Sequence, residues 1–335
     1  MKTLSIISND INELFTDLQR QLGGQLEVKS NEFQLQIDNE IAKGRISGIP
    51  VENAILYMEY DLVFHEDLSI LYKIDQSNSV YFGYCSQGTI KQSTGTGEDT
   101  KEIEAFQTII FSNTDQNKNA LRFSANEHIK FSIVIVDALS VSDHELRSQL
   151  KNTFLDSTNS QAFSYVGSLN LRIFDKIQSL KAISEDALVR NLLTNSTIYL
   201  ILALEIEQHR LDTMTNDTAA FQLNQYEMKM VKELSDSIIK HPAMPYSIKY
   251  LSKRSGLSPL KLQEGFKILH NRTVTDFVRN ARVEIAENLI RTSELNISEI
   301  VYTIGLTSRS YFSKIFKEKY NCCPKYYQNR SALSL

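Results

Sequence analysis

Two stretches decide how this chain is read: residues 247–267, SIKYLSKRSGLSPLKLQEGFK, and residues 296–317, NISEIVYTIGLTSRSYFSKIFK. They are one design written twice. Ile248, Leu251, Gly256 and Leu257 recur 49 residues later as Ile297, Ile300, Gly305 and Leu306. Past the turn the offset becomes 50, so that Ser258, Leu262, Phe266 and Lys267 recur as Ser308, Phe312, Phe316 and Lys317. Each copy predicts a short helix, a turn at a glycine free to take positive φ, and a second helix capped by serine. Pro259 suits the first position of that second helix in the first copy.

Leu262 and Phe266, like Phe312 and Phe316, share an i, i+4 face that packs inward. The opposite faces carry Pro259, Gln263, Glu264 and Lys267 in one copy, and Arg309, Ser310, Ser313, Lys314 and Lys317 in the other. These are two helix-turn-helix units, and a polar helix face of this kind fits the major groove of DNA. A capping box at Thr273 and Asp276 starts one longer helix between them, with Val274, Phe277, Val278, Ala281, Ile285 and Leu289 on one side. It predicts a rigid spacer. If both outward helices enter one face of a duplex, their separation is about one helical turn, ~34 Å.

Charge points the same way. Residues 226–330 hold 18 Lys and Arg against 10 Asp and Glu, whereas the rest holds 18 against 30, so the formal net charge of −4 conceals a basic third suited to a polyanion.

At 335 residues the chain has room for two domains with separate cores. Residues 26–30, 32–37, 42–49, 51–60, 68–74, 80–85, 104–111 and 129–136 are predicted strands, whose number and spacing suggest a sandwich or barrel. The segment STGTGEDT, 93–100, is expected as a polar loop; without G-K-[ST] it is no phosphate cradle. From about Ser142 the period turns helical, over 169–180 and then 184–211. In the latter, Leu188, Leu192, Asn195, Tyr199, Leu202 and Ile206 form a heptad-like seam, and Val189, Leu193, Leu200 and Ala203 a second stripe. One stripe can dock on its own domain and the other on a second subunit, or both can be core. The polar segment 212–220 is the linker candidate.

The composition argues against several other classes. The apolar run 198–204, IYLILAL, is far shorter than the ~20 residues of a membrane span, and MKTLSIISND has no signal-peptide pattern, so a cytoplasmic protein is expected. Cys85, Cys322 and Cys323 supply neither a disulfide framework nor a C-x-x-C knuckle. His65, His128, His144, His209, His241 and His270 form no H-x-H or H-x-x-x-H pair, and G-x-S-x-G is missing. No catalytic residues, metal or cofactor are expected.

The segment from Tyr246 to Tyr327 resembles the DNA-binding domain of the AraC/XylS family of bacterial transcription regulators. The resemblance rests on the paired units, Arg282 and Ala286 in R-x-x-x-A, the block GLTSRSYFSKIFK, and Pro324 and Tyr327 after it. It covers roughly a quarter of the chain, with about a dozen positions agreeing. Asn271 and Asn321 stand where the family has Gly, Leu306 for a Phe, Val301 for an Ala, and Gln328 for an Arg, with Arg330 nearby.

By this resemblance the base-reading positions are Leu260, Gln263 and Glu264 in the first unit and Arg309, Ser310 and Lys314 in the second. Gln263 suits adenine, Arg309 or Lys314 guanine and Leu260 a thymine methyl; Glu264 stands where relatives often place a basic or small residue, so the first unit either reads cytosine through its N4 donor or reads no base. Lys267, Lys317, Arg254 and Arg282 are assigned to phosphates or to pairs inside the domain. The implied fold is α+β: a β-sandwich or cupin-like sensor with added helices over 1–215, a linker at 216–225, and an all-α double helix-turn-helix domain over 226–330. The family further implies an effector-responsive activator, double-stranded DNA and RNA polymerase as partners, a small-molecule effector, a homodimer and no membrane. A ligand-independent repressor or architectural protein is the alternative, with a metal-dependent cupin enzyme fused to a DNA module behind it. Tyr57, Tyr60, Phe64, Tyr72, Tyr81, Phe82 and Tyr84 either line an effector cavity or fill the sandwich core.

Overall fold

Strict alternation in EFQLQID, residues 32–38, turns Phe33, Leu35 and Ile37 into a core and leaves Gln34 and Gln36 exposed. The same alternation organises the first of two compact units, Met1–Thr218 and Ala219–Leu335, in a computed structural model. The structure describes residues 2–6, 8, 10–51, 54–72, 78–94, 99–113, 119–155, 163–184, 187–214 and 223–331.

In chain order the first unit contains β1 (Lys2–Ile6), α1 (Ile11–Leu22), β2 (Gln25–Lys29), β3 (Glu32–Asp38), β4 (Ala42–Val51), β5 (Ile55–Phe64), β6 (Leu68–Tyr72) and β7 (Ser79–Gln87). There follow β8 (Ile90–Thr94), β9 (Asp99–Ile103), β10 (Gln107–Ser112), β11 (Asn119–Phe123), β12 (His128–Asp137), α2 (His144–Phe154), β13 (Ser164–Leu169), α3 (Leu171–Lys181) and α4 (Ala187–Met214). The second unit is helical among its described residues: α5 (Gln225–Lys240), α6 (Ile248–Ser255), α7 (Pro259–His270), α8 (Val274–Thr292), α9 (Ile297–Thr303), α10 (Arg309–Tyr320) and α11 (Pro324–Ser331). The fold is therefore α+β, a two-sheet unit with added helices followed by an all-α unit.

The larger sheet has the order β13-β10-β7-β12-β5-β4-β3-β2 and the smaller one β1-β6-β11-β8-β9; β1 and β6 pair in parallel and the other neighbouring strands antiparallel. The central strands β5, β7 and β12 of the larger sheet are buried on both faces. One face contributes Met58, Tyr60, Leu62, Phe64, Tyr81 and Phe131 to a core shared with the smaller sheet's Ile70 and Tyr72. Its other face contributes Tyr57, Phe82, Tyr84 and Val134 to a second core, covered by Ile173 and Ile177 of α3 and Ile198 and Ile201 of α4. The seven aromatics expected to share one cavity or core are thus split by the pleat between two cores, and each is at most 2% exposed. They pack rather than line an opening.

The eight expected strands form, with corrections at their ends and additions between them. The run 51–60 is two pieces, because β4 extends to Val51 and β5 begins at Ile55. Ser93 pairs with Thr100 and Thr94 with Asp99, so the ends of the expected polar loop belong to a β8–β9 hairpin; 95–98 lie outside the described residues. The short strands β1, β8, β9, β11 and β13, and the helix α1, were not expected. Three of them, IKQST, DTKEI and NALRF, lack a clear apolar alternation.

Helix α4 buries Thr194, Ile198, Ile201 and Glu205, a stripe outside both expected seams at helical steps of four and three, and beside it Leu202 of the first seam, whose Ile206 packs partly buried on the same core. Leu188, Leu192 and Tyr199 of the expected first seam are exposed, as are Val189, Leu193 and Leu200 of the second. Residues 212–214 of the linker candidate 212–220 are still helix, with Asp212 accepting from Ser168 N–H at 2.8 Å; 215–222 lie outside the described residues, and of the linker expected at 216–225 Leu223 is buried, Asn224 caps α5 and Gln225 begins it.

Candidate nucleic-acid interface

The first helix-turn-helix unit is built as its sequence predicts. Ser247 Oγ caps α6 through Tyr250 N–H at 3.1 Å, and the helix ends at Gly256 with φ 73°, whose N–H returns to Ser252 O. Ser258 Oγ then accepts from Lys261 N–H at 3.3 Å and starts α7, with Pro259 in its first turn. Leu262, Gly265, Phe266 and Leu269 are buried. A helix the sequence did not assign to the unit, α5, packs against α6, α7 and α8. It comes so close that a β-carbon on Gly265 would lie 2.5 Å from Val231 Cγ2, and its Glu227 pairs with Lys261. That pair holds the Glu227 carboxyl below its usual range.

The second unit repeats the design with a different turn. Asn296 and Glu299 form a reciprocal capping box at the start of α9. At its end Leu306 N–H reaches Val301 O and Gly305 N–H reaches Tyr302 O, the Schellman pattern, where the first unit has one bond. Ser308 Oγ accepts from Tyr311 N–H at 3.2 Å and starts α10. Asn271 and Asn321 close α7 and α10 with φ 52° and 58°, doing in the left-handed region what glycine would do.

Helix α8 belongs to both units. Phe277, in its N-terminal half, packs on Phe266 and stacks 4.0 Å from His270, whose burial lowers it to about 4 and keeps it neutral near pH 7. Val283, Ala286 and Ile290, of which the expected apolar side contained none, enter the core of the second unit with Phe312, Ile315 and Phe316. The hydroxyl of Thr273 accepts from Asp276 N–H and donates to its Oδ2 at 2.7 Å. Tyr327 donates to Glu287 Oε1 at 2.6 Å and Gln328 Nε2 to Leu295 O at 2.9 Å, so α11 braces α8 and the approach to α9.

The predicted site residues fall into three groups. Leu260, Arg309, Ser310, Lys314, Lys267 and Lys317 are exposed on α7 and α10, and Glu264 is half-buried beside them. Gln263 and Arg309 already hold partners: Gln263 Oε1 accepts from Val274 N–H at 3.1 Å, and Arg309 Nη1 donates to Ser298 Oγ at 3.1 Å. Arg254 and Arg282 bond within the domain, Arg254 at the surface and Arg282 half-buried. Arg254 Nη1 donates to Ser237 Oγ at 2.9 Å; Arg282 donates to the carbonyls of Pro242 and Met244 at 2.9 and 2.8 Å, and burial lowers its pKa. In the free chain Arg282 pairs inside the domain. The two outward faces also differ in charge: α7 balances Glu264 against Lys267, whereas α10 sets Arg309, Lys314 and Lys317 against no acid among those positions.

Among the described residues no group of His, Cys, Asp or Glu is arranged to hold a metal ion, and no helix is long and apolar enough to cross a membrane.

Comparison with known proteins places this geometry. A helix-turn-helix domain family matches residues 251–330. The regulatory protein SoxS of Escherichia coli K12 is 30% identical over 102 residues, which are 30% of this chain and 95% of SoxS. Histidine kinase P4 of Formosa agariphila is 36% identical over 85 residues, 25% of this chain, which spans only 6% of the kinase's own length. Among solved structures, apo ToxT from Vibrio cholerae aligns with 83% of this chain and 97% of its own, at 14% identity and a TM-score of 0.34. The match that spans nearly all of SoxS, together with two serine-capped helices on a shared spacer, settles the assignment: this chain belongs to the AraC/XylS family of DNA-binding transcription regulators.

Proposed function

We propose that the chain binds DNA sequence-specifically by laying α7 and α10 in adjacent stretches of major groove. The observation that carries this reading is the division of each helix: Leu262 and Phe266, or Phe312 and Phe316, are buried, while the reading positions opposite remain exposed or half-buried. Arg309 and Lys314 read guanine, Leu260 meets a thymine methyl, Ser310 makes an adaptable contact, and Glu264 selects cytosine. Gln263 reads adenine only by giving up Val274 N–H. Lys267 and Lys317 hold phosphates, Arg254 does so on leaving Ser237, and Arg282 serves the scaffold.

The remaining roles are assigned on the family likeness and on α4. Residues 1–215 act as the sensor and dimerisation domain, 216–222 as the linker and 223–330, with α5 and its cap, as the DNA-binding domain of a cytoplasmic activator that contacts RNA polymerase. Leu188, Val189, Leu192, Leu193, Tyr199 and Leu200 lie on one exposed face of α4, opposite its buried stripe, and offer an apolar surface to the same helix of a second copy. An effector would shift the population of arrangements competent for DNA. The full packing of the seven aromatics favours a second reading, in which the first unit only dimerises and no ligand is required. Thermal-shift screening against metabolites separates the two, because an effector raises the unfolding temperature.

The test of the main reading is Arg309→Ala and Lys314→Ala in the full chain. Each loses ~1–3 kcal/mol on the preferred duplex and relaxes the base requirement at one position. An unchanged preference removes that residue from base reading.

A further inference from the structure

Gly256 and Gly305 hold equivalent places in the two units and nearly the same backbone, with φ 73° and 75°. Their surroundings differ completely. A β-carbon on Gly256 would meet nothing within 4 Å, whereas one on Gly305 would lie 2.5 Å from Ala243 O, 2.6 Å from its Cα and 2.8 Å from its carbonyl carbon. The turn of the second unit therefore rests on the backbone of the loop at 241–247, which joins α5 to α6 in the first unit. Arg282, near the middle of α8, grips that loop from another side through the carbonyls of Pro242 and Met244. The loop is itself stiff: Pro242 and Pro245 restrict it, Met244 N–H reaches His241 O, Tyr246 N–H reaches Met244 O, and Tyr246 Oη donates to Ser237 O at 2.9 Å.

Helix α8 alone ties the units at one line, about which they can twist or bend. A second contact away from that line removes this freedom. We infer that the clasp of Arg282, the 242–244 backbone and Gly305 fixes α7 relative to α10, and so sets the number of base pairs between the two sub-sites. The inference rests on the proposal that both helices read DNA. Gly305, Arg282 and Ala243 act here as positioning residues, since none of them is placed on a base.

The test measures spacing rather than strength. A duplex enriched from a random library by the full-length wild-type chain is compared with the same duplex carrying one extra base pair between its sub-sites, which rotates one sub-site by roughly a tenth of a turn. Wild type is expected to lose tenfold or more in affinity on the insertion. G256A, with the same strained φ but no clash, keeps that penalty. R282A and G305A bind the parent duplex less well and lose threefold or less on the insertion. R282K, which retains the charge but not the two-pronged grip, falls between and serves if the harsher variants do not fold. Folded variants that keep the full wild-type penalty overturn the clasp.

Spin labels carried by non-natural amino acids at positions 267 and 317, in labelled chain diluted with unlabelled chain, test the clasp without DNA. R282K and G305A should broaden the distance distribution, and G256A should not; equal widths in all of them reject the inference. A wild-type chain that enriches no sequence, with the label result intact, refutes the DNA-reading proposal and leaves the clasp standing.

Discussion

Removing Lys317 should lower the salt dependence of DNA binding by one phosphate's worth, while removing Arg282 should not change it. Both are cations of the basic unit, but Lys317 is exposed on α10 and Arg282 is half-buried against two carbonyls. Each phosphate neutralised contributes ~0.9 to the slope of log affinity against log salt, which is about 3.5-fold in affinity between 50 and 200 mM. Lys317→Ala and Lys267→Ala in the full chain should therefore each reduce the slope by ~0.9, roughly uniformly across sequences. Arg282→Ala should weaken binding at every salt concentration with the slope preserved. Fluorescence anisotropy on one labelled duplex across a salt series reads both quantities. A slope unaltered by Lys317→Ala places α10 away from the backbone, and a fall of ~0.9 with Arg282→Ala makes that residue a phosphate ligand and defeats its assignment to the scaffold.

Three further outcomes follow from packing. Glu205 is 1% exposed, its Oε2 has no hydrogen-bond partner among the described residues, and burial raises its pKa well above 4.5. A folded state that binds the proton more tightly than the unfolded chain loses stability as pH rises from about 4.5 through the raised value. Glu205→Leu should thus raise the unfolding temperature more at pH 8 than at pH 5, and an equal shift at both would show that the carboxyl does not titrate in the folded protein. Gly265→Ala should destabilise the helical domain, residues 219–335, by ~1–3 kcal/mol through overpacking against Val231, measured by denaturant unfolding; a neutral effect would mean that α5 yields without loss. Leu192→Glu with Leu200→Glu should shift the chain toward monomer in sedimentation at micromolar concentration without lowering its unfolding temperature, since both side chains are exposed; an unchanged mass would take α4 out of the dimer contact.

The second unit was legible because its signals are local. A serine cap, a glycine turn and an i, i+4 apolar pair each act within a few residues, and their repetition at 49 and 50 residues supplied a cross-check. The features there that no local pattern encodes depend on contacts between distant residues: α5 closing on Gly265, the sharing of α8 by two cores, and the reach of Arg282 to Pro242. Gln263 shows the limit at one site, since a side chain suited to adenine is engaged at Val274 in the free protein. In the first unit, long alternating strands such as β3 declare themselves, whereas NALRF is a strand only because β6 and β8 flank it. The amphipathic segment INELFTDLQRQL is legible as a helix, with Asp10 capping Asn12 and Glu13 and with Leu14, Phe15, Leu18 and Leu22 buried at helical spacing. Helix α4 is apolar on nearly all sides, so its period could not say which stripe is buried.

Hydroxyl-radical footprinting of the full-length chain on its enriched duplex tests most directly whether two helices grip one side of the DNA. Two protected patches on the same face, centred about 10 base pairs apart, are predicted. A single patch, or two on opposite faces, would contradict the account.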